Sequence, residues 1–450
     1  MVTGFRKLMS VVMVSGSFNA IAADDFFSEI EVDLESKQKP APSPPIDSKA
    51  TIKQIVKYGL ETPLEDYGFN RTGPGLSQVQ TDFFIQLRRN INSNVGLQFS
   101  TKAEADWMQW QQGELDWRSN HEKIFIKDAF ADLTTSGGIW LRAGHQIIAW
   151  GLSQNFLPIT DILSPMDLRE PGQAELRDIR EHITALSLSF PFEHQTITLV
   201  ATYQAGHNRY ADSAEDFYPY SQLKANGVDI DFPTPNQDWE SALRWEYRFN
   251  GGDLSLVAAD INDNTLALTK FSSDFSTAFF TQERVQMVGV ALSQAKSSWV
   301  FKAEAGYFHN QPVNNHQNLP WQEYNEWRGF VGFDYHGWNN CLISVELNAS
   351  TLSPVADSNS VDDPNRDRDP YGMLMYLRYA ALNDRLENQL WFIHLVGDEG
   401  SVWRWHVNYD LTDYWRAGAG VVIYQSEIEG ASLYPFQHHD SVNLTLEYNF

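Results

Sequence analysis

Apolar and polar side chains alternate with a period of two through most of the chain from about residue 51 onward. This alternation places successive side chains on opposite faces of a β-strand. The clearest run has Trp239, Leu243 and Tyr247 on one face and Glu240 and Arg244 on the other. A β-sandwich alternates in the same way, so the pattern alone predicts strands without deciding between a protein core and a lipid-facing wall.

The connections between the alternating segments favour a membrane barrel. Short breaks rich in turn residues, such as 250–253, alternate along the chain with long polar stretches, such as 151–181 and 206–238. Short turns at one end and long loops at the other are typical of outer-membrane barrels. Two strands for each short turn and one at each end predict an all-β fold, a transmembrane antiparallel up-and-down β-barrel of about 18 strands, with 16 possible. The long loops are then extracellular and the short turns periplasmic.

The final segment carries the most specific pattern. Val442, Leu444, Leu446, Tyr448 and Phe450 alternate with polar residues. This arrangement resembles the C-terminal signature by which the bacterial barrel-assembly machinery recognises outer-membrane barrels. The resemblance implies that Tyr448 and Phe450 form the assembly signal and that this machinery is a partner. A barrel would also contact outer-membrane lipid and lipopolysaccharide.

The first residues have the features of a secretory signal peptide. Arg6 and Lys7 precede a short apolar run, and a small-residue cleavage site, A-I-A, ends at Ala22. We therefore expect residues 1–22 to be removed on export. Because no later apolar run is long enough for a spanning helix, the expected location is the outer membrane of a Gram-negative bacterium.

Residues 23–50 are predicted to form a periplasmic arm that precedes the barrel, 51–450. The first half of the arm is acidic and the second half is rich in proline, which favours extended conformations. Phe26, Phe27 and Ile30 would share one face of a short helix if a partner captured them. The arm is therefore either a disordered spacer or a contact for a periplasmic or inner-membrane transport partner.

The composition argues against several other classes of protein. The formal net charge of -25 repels phosphate backbones, so we expect no nucleic-acid partner. Cys341 is the only cysteine, which excludes an internal disulfide framework and multi-cysteine zinc or iron–sulfur sites. No cofactor is expected.

Charged residues opposite the aromatic rows are candidates for the barrel lumen. A lumen of this size holds water unless a loop or the N-terminal arm fills it. The charged residues either pair across neighbouring strands and stiffen the wall or form opposed rows that orient polar solutes. Their mixed signs predict neither anion nor cation selectivity. The candidates are Arg142, Gln146, Glu240, Arg244, Glu246, Arg248, Lys302, Glu304, Glu326, Arg328, Asp334, Glu346, Arg404 and Glu447.

The two longest loops differ in composition. Segment 151–181 is apolar between residues 156 and 163, and we expect it to pack into the barrel as a constriction or plug. Segment 206–238 carries aromatic residues among acidic ones, which suits a surface ligand platform and an ordered lid equally well.

Two smaller clusters suggest other chemistries. One alternates like the start of a calcium loop, but the central glycine and the distal glutamate of an EF-hand are missing, so a solvated acidic loop is the simpler interpretation. The other cluster, His438, His439 and Asp440, offers metal ligands or acid–base groups without an accompanying Ser or Cys motif. We expect neither a resident metal nor enzymatic activity. The residues of the first cluster are Asp363, Asn365, Asp367 and Asp369.

A recognisable arrangement lies within residues 141–167. It resembles a proteobacterial outer-membrane barrel family labelled as a domain of unknown function, in which a strand reading L-R-x-G-[RK]-Q leads into W-G and then an N-P-x-D-like element. Similar G-R-Q strands occur in alginate-export and phosphate-selective porins. His145 and Ser164 depart from the pattern. The matching residues are Leu141-Arg142-Ala143-Gly144-His145-Gln146, Trp150-Gly151 and Ser164-Pro165-Met166-Asp167.

The resemblance implies transport, and the leading hypothesis is a channel or transporter for a small or lipid-like substrate. Its lumen would be charged and narrowed by segment 151–181. A structural or adhesive barrel with functional surface loops is the alternative. An outer-membrane hydrolase is a weaker one, because only His438, His439 and Asp440 offer a starting point for catalysis.

Overall fold

A computed structural model describes residues 46–450 with internal gaps. The gaps are 112–113, 117–120, 154–157, 171–178, 204–205, 214, 236, 314–321, 356–370, 397–399, 430 and 432. Three predictions fall outside the described residues: the signal peptide, the acidic cluster 363–369, and partner binding by Phe26, Phe27 and Ile30.

The segments of alternating sequence form antiparallel strands throughout the described chain. Eighteen of its strands form one sheet: β1 (Asp47–Gly59), β2 (Gly75–Asn92), β3 (Val95–Asp106), β6 (His121–Thr134), β7 (Trp140–Gln146), β8 (Ile183–Pro191), β9 (Gln195–Tyr203), β11 (Trp239–Phe249), β12 (Gly252–Asn262), β15 (Arg284–Lys296), β16 (Trp299–Val313), β17 (Gln322–Trp338), β18 (Cys341–Pro354), β19 (Tyr371–Ala381), β20 (Leu386–Leu395), β21 (Gly400–Asp410), β22 (Trp415–Gln425) and β23 (Ser441–Asn449).

The remaining strands lie in the long loops. β4 (Gln109–Gln111) and β5 (Glu114–Asp116) form a hairpin, while β10 (Asp229–Asp231), β13 (Ala267–Phe271) and β14 (Thr277–Thr281) form a small separate sheet. A short helix spans Ser221–Ala225. No helix among the described residues is long and apolar enough to cross a membrane.

The large sheet closes on itself because its first and last strands pair. β1 and β23 are antiparallel from Thr51 opposite Asn449 to Gly59 opposite Ser441. Closure gives every spanning strand two neighbours, which satisfies backbone groups that lipid cannot. The predicted up-and-down barrel of about 18 strands is therefore confirmed.

The two ends of the barrel differ as the sequence predicted. Strands are joined at one end by short turns, of which 93–94 between β2 and β3 and 339–340 between β17 and β18 are examples. The longest links, 147–182 and 204–238, lie at the other end. β1 begins at Asp47, so the last four residues of the predicted arm belong to the barrel wall.

Apolar side chains cover the outside of the barrel. Trp239, Trp327 and Leu347 are exposed, whereas Glu240 and Glu346 on the opposite faces of the same sheet are buried. In a closed barrel the exposed apolar face meets acyl chains. The exposed apolar residues are thus the lipid-facing surface.

Placing a charge on this surface should destabilise the barrel in proportion to its depth. We expect Leu347→Arg, near the middle of β18, to lower the free energy of unfolding by about 2–4 kcal/mol. Leu382→Arg is the matched control, because Leu382 lies in the turn between β19 and β20 and is already 62% exposed. Urea unfolding in lipid vesicles measures both variants. Equal effects would contradict the placement of Leu347 in the hydrocarbon layer.

Candidate functional site

The predicted lumen residues alternate along their strands with the exposed apolar residues of the outer surface; that they line a pathway stays a prediction. Several are buried among other polar groups: Glu240 accepts a hydrogen bond from Asn262 Nδ2 at 2.9 Å, and Gln146 Nε2 donates to the carbonyl oxygen of Ala185 at 2.9 Å. The guanidinium of Arg404 lies 4.4 Å from the centre of the Trp391 ring. These contacts tie the candidates to the wall.

Apart from Glu304, the remaining lumen candidates form cross-strand or same-strand pairs. Glu246 contacts both Arg244 and Arg248 at 2.8 Å. Arg142 makes two hydrogen bonds to Asp132, at 2.7 and 3.0 Å. The others pair as Arg328 with Glu326 at 2.8 Å, Lys302 with Asp334 at 2.9 Å and with Glu346 at 3.4 Å, and Glu447 with Asn449 at 3.0 Å.

The link between β7 and β8, residues 147–182, is called the inserted segment here. Its described residues pack against the inward faces of neighbouring strands. Its apolar residues Ile148, Trp150, Ile159 and Leu163 join one hydrophobic cluster with the wall. The wall contributes inward residues of β8, β9, β11, β12, β15, β16 and β17: Ile183, Ala185, Val200, Ala242, Val257, Ile261, Val285, Met287, Phe308 and Phe330. These inward positions are apolar because the inserted segment covers them.

Glu304 of β16 holds the inserted segment by five hydrogen bonds. One carboxylate oxygen accepts the backbone N–H groups of Leu152 and Ser153, at 2.5 and 3.0 Å. The other accepts the N–H groups of Ile159 and Thr160 at 2.9 and 2.8 Å, and the Thr160 hydroxyl at 3.0 Å. Glu304 is only 3% exposed. A buried carboxylate without such donors is costly, so segment and wall depend on each other.

A second bond from the same wall fixes the segment beside Glu304. The hydroxyl of Ser153 donates to Glu346 at 2.9 Å, and Glu346 also faces Lys302. Glu304 and Glu346 were predicted lumen residues, but the sequence did not predict that they would bind this loop.

Local sequence explains why the inserted segment folds inward. A Cβ on Gly151 would lie 2.1 Å from the Pro158 Cβ, and one on Gly306 of the wall 2.6 Å from the Ile159 side chain. Both positions therefore require glycine for the close approach. Ser164 accepts the backbone N–H of Ile148 at 2.9 Å, which closes the segment. Residues of the recognised W-G and S-P-x-D elements thus build this turn.

The link between β9 and β11 packs on the opposite half of the wall. Ala211 and Phe217 belong to a hydrophobic cluster with inward residues of β18–β22, including Leu374, Tyr376 and Trp391. Its backbone also meets the inserted segment: Arg209 N–H donates to the Met166 carbonyl at 2.8 Å, and Leu168 N–H to that of Arg209 at 2.7 Å. The two loops are therefore joined to each other as well as to opposite sides of the barrel.

A row of alternating charges connects the loops to the wall formed by β2, β3 and β6; we call it the ionic chain. Successive partners are 2.6–3.8 Å apart, with Arg209 and Glu181 in direct contact. Apart from Asp167, which lies in the matching arrangement of residues 141–167, none of these residues was a predicted site residue, although Lys102 and Glu104 obey the alternation. In order they are Asp82, Lys102, Glu104, Arg169, Asp167, Arg209, Glu181 and Lys127.

Two carboxylates of the inserted segment, Asp167 of the ionic chain and the nearby Glu170, are held ionised by neighbouring cations. Burial raises the pKa of Asp167, but Arg169 and Arg209 outweigh burial and hold the pKa below its usual value. For Glu170, the ion pair with Lys57 outweighs the effect of burial and lowers the pKa of the carboxyl group. A carboxylate whose pKa is lower in the folded protein than in the unfolded chain stabilises the fold at any pH above its unfolded pKa. This stabilisation is lost as the pH falls through the pKa of the folded protein.

Acidification should therefore loosen the inserted segment. We expect its contacts to persist at neutral pH and to weaken below about pH 4, where free carboxylates protonate. Single-channel current recorded between pH 7 and pH 3 should rise at the acid end. Arg169→Gln, which removes one partner of Asp167, should raise the current at neutral pH and flatten the pH response. An unchanged response in that variant would contradict the role of the ionic chain.

His438, His439 and Asp440 do not converge on one point. His438 Nδ1 contacts Glu61 at 2.5 Å, and the backbone N–H of Tyr424 donates to Asp440 at 2.8 Å. His439 donates to the Asp216 carbonyl at 3.0 Å, and burial among aromatic rings lowers the pKa of its imidazole to about 4. These residues join loops, and no group of three or more metal-ligating side chains occurs among the described residues.

One known protein family matches most of this chain. The family described as "Protein of unknown function (DUF1302)" matches residues 80–450. The chain belongs to this family. The match confirms the predicted barrel family of unknown function, whereas the likeness to alginate-export and phosphate-selective porins stays a prediction. This DUF1302 barrel has no significant match among curated proteins.

Solved structures share the fold at low identity. Acinetobacter baumannii OccAB3 is 12% identical, with a TM-score of 0.52 over 90% of this chain and 99% of that one. Acinetobacter baumannii OccAB1 is 9% identical, with a TM-score of 0.54 over 90% of this chain and 96% of that one. The DUF1302 chain is an outer-membrane β-barrel of the Gram-negative type, because it combines this closed sheet with an apolar outer surface.

Proposed function

We propose that the DUF1302 barrel is an outer-membrane channel or transporter for a small or lipid-like substrate, narrowed by loop 151–181. The observation that carries the proposal is the five-bond attachment of the inserted segment to Glu304 inside a wall with charged inward faces. A barrel of this width has room for an aqueous lumen, so a loop fastened to the inner wall limits what passes.

The ionic chain marks the side of the lumen along which a polar solute would pass. The inserted segment packs against β8, β9, β11, β12 and β15–β17 through apolar contacts and the hydrogen bonds to Glu304, and the other loop packs against β18–β22 through apolar contacts. Between β2, β3 and β6 and these loops the contacts are ion pairs instead. Charged groups exchange partners with water and solutes more readily than interlocked apolar groups, so we place the pathway there.

The predicted roles outside the lumen extend this proposal. Tyr448 and Phe450, whose rings lie 4.7 Å apart, are proposed as the assembly signal. The arm, residues 23–50, is proposed to meet a periplasmic or inner-membrane transport partner through Phe26, Phe27 and Ile30. No catalytic role is assigned.

Swelling of proteoliposomes in sugars of graded size tests the proposal. We expect small neutral sugars to enter and large ones to be excluded, with a cut-off that increases when the inserted segment is loosened. Protein-free liposomes treated in the same way are the control. A correctly folded barrel that admits no solute, with the segment intact or loosened, would favour the structural or adhesive alternative.

A further inference from the structure

The barrel wall is unusually low where β7 and β8 follow β6. β7 has 7 residues and β6 has 14, whereas a spanning strand needs about 9–11. Pairing between β6 and β7 ends with Ala129 opposite His145, while pairing between β6 and β3 continues to His121 opposite Asp106. Among the described residues, 121–128 of β6 thus have a strand partner on one side only. We call the gap above β7 the notch.

Both outer flanks of the notch are apolar and strongly exposed. Ile124 is 77% exposed and Ile126 53% exposed on the β6 side. On the far side Trp239 is 68% exposed, and its ring lies 5.5 Å from that of Tyr203. An open sheet edge facing only lipid leaves backbone groups unsatisfied.

On the lumen side of the notch, polar side chains of β6 point inward. A β-bulge places Lys127 and Asp128 opposite Ser100, which bends β6 at this point. Inside, the Arg209 guanidinium lies 4.2 Å from the centre of the Phe125 ring. Lys127 Nζ is 3.8 Å from Glu181, longer than a direct hydrogen bond, so this ammonium is held loosely.

The base of the notch contains a buried polar atom with no partner. His182 and His145 stack with their ring centres 5.8 Å apart, and His182 Nε2 lies 3.2 Å from Asp128 Oδ1. The His182 side chain is only 6% exposed, and the described residues offer its Nδ1 no hydrogen bond. This buried atom is therefore available to hydrogen-bond a polar group that enters the notch.

On the basis of the channel function proposed above, we propose that the notch is a lateral portal between the lumen and the outer leaflet. Its substrate is an amphipathic molecule with one alkyl chain and an acidic, hydrogen-bonding head group. The alkyl chain would lie along Ile124 and Ile126, where it stays in contact with lipid. The head group would contact Lys127 and His182. Its desolvation would then be compensated by a cation and by a hydrogen bond to the unpartnered Nδ1 of His182.

A photoreactive palmitic acid with a diazirine in its chain tests the portal in proteoliposomes. We expect it to label the inward-facing Phe125 and Lys127 as well as the lipid-facing Ile124. Ile126→Arg should reduce labelling of Phe125 and Lys127 about tenfold, which corresponds to about 1.4 kcal/mol. Val288→Arg is the matched control, because Val288 is also lipid-facing and lies as far from the short-turn end of β15 as Ile126 does from that of β6.

A second variant covers the case in which Ile126→Arg fails to assemble. Ile126→Trp fills the notch without a charge and should also reduce inward labelling, whereas Val288→Trp should not. Label confined to outward faces, with Phe125 and Lys127 unmodified, would overturn the portal.

Conductance of the same preparation separates the portal from the channel. A conducting barrel without inward label overturns the portal and keeps the channel. Inward label in a barrel that conducts nothing supports the portal and overturns the water-filled channel.

Discussion

Replacing residues 149–180 with a short glycine-rich turn should raise the single-channel conductance several-fold. Gln146 and Ile183 lie opposite each other in neighbouring antiparallel strands, so a tight turn can join β7 to β8 without disturbing the wall. The replacement removes the apolar residues that cover one half of the inner wall and the charges that meet the other half. Planar-bilayer recording measures the change.

The same replacement should lower the stability of the barrel. Inward residues such as Val257, Met287 and Phe330 lose their apolar cover, and their burial contributes about 25 cal/mol per Å². Heat-induced unfolding in detergent, followed by the shift in gel mobility, checks that the variant has assembled. An assembled variant with wild-type conductance would show that the inserted segment does not limit the pathway.

Glu304→Ala should release the inserted segment while keeping its sequence. The substitution leaves five donors without their acceptor, at a cost of about 1–3 kcal/mol for each one that stays buried. We expect the segment to detach, and the conductance to become larger and to fluctuate between levels. Limited proteolysis added from the loop side should then cut the segment, which the intact protein protects.

Two control variants should detach the inserted segment to a smaller extent than Glu304→Ala. Glu304→Gln keeps one acceptor oxygen and turns the other position into a donor, so it should detach the segment partially. Ser153→Ala removes the hydroxyl bond to Glu346 but keeps the backbone bond to Glu304, so conductance should stay close to that of the intact protein. If Ser153→Ala opened the barrel as far as Glu304→Ala, the central position of Glu304 would be wrong.

The strand pattern made the barrel predictable because each strand repeats a local rule. The sheet face on which Trp239, Glu240 and Leu243 lie can be inferred from the residues two positions away. Turn residues such as Asn340, which has a φ of 56°, mark one end of the barrel. The apolar run in segment 151–181 also predicted a loop that packs inward. Both signals are contained in short stretches of sequence.

The contacts inside the barrel were not predictable in the same way. Glu304 meets Leu152 and Thr160, about 150 residues earlier in the chain. The ionic chain joins residues from three strands and two loops, and nothing in the alternation specifies which Asp or Glu faces which Arg or Lys. Such pairing depends on how the loops fold back, which is a tertiary property.

The arrangement of residues 141–167 gains a physical basis from these contacts. Gln146 ends β7, Trp150 enters the hydrophobic cluster, Ser164 closes the segment, and Asp167 joins the ionic chain. His145 lies on the face opposite Arg142 and contacts Thr184 and His182. The pattern thus describes a strand that ends early and a loop that enters the barrel.

Recording from single molecules of the intact protein in planar bilayers most directly tests whether this barrel is a narrowed channel. We predict discrete, low conductance steps at neutral pH that change to larger steps in Glu304→Ala. Uniformly large steps in the intact protein, or a fully assembled barrel that is silent both intact and as Glu304→Ala, would contradict it.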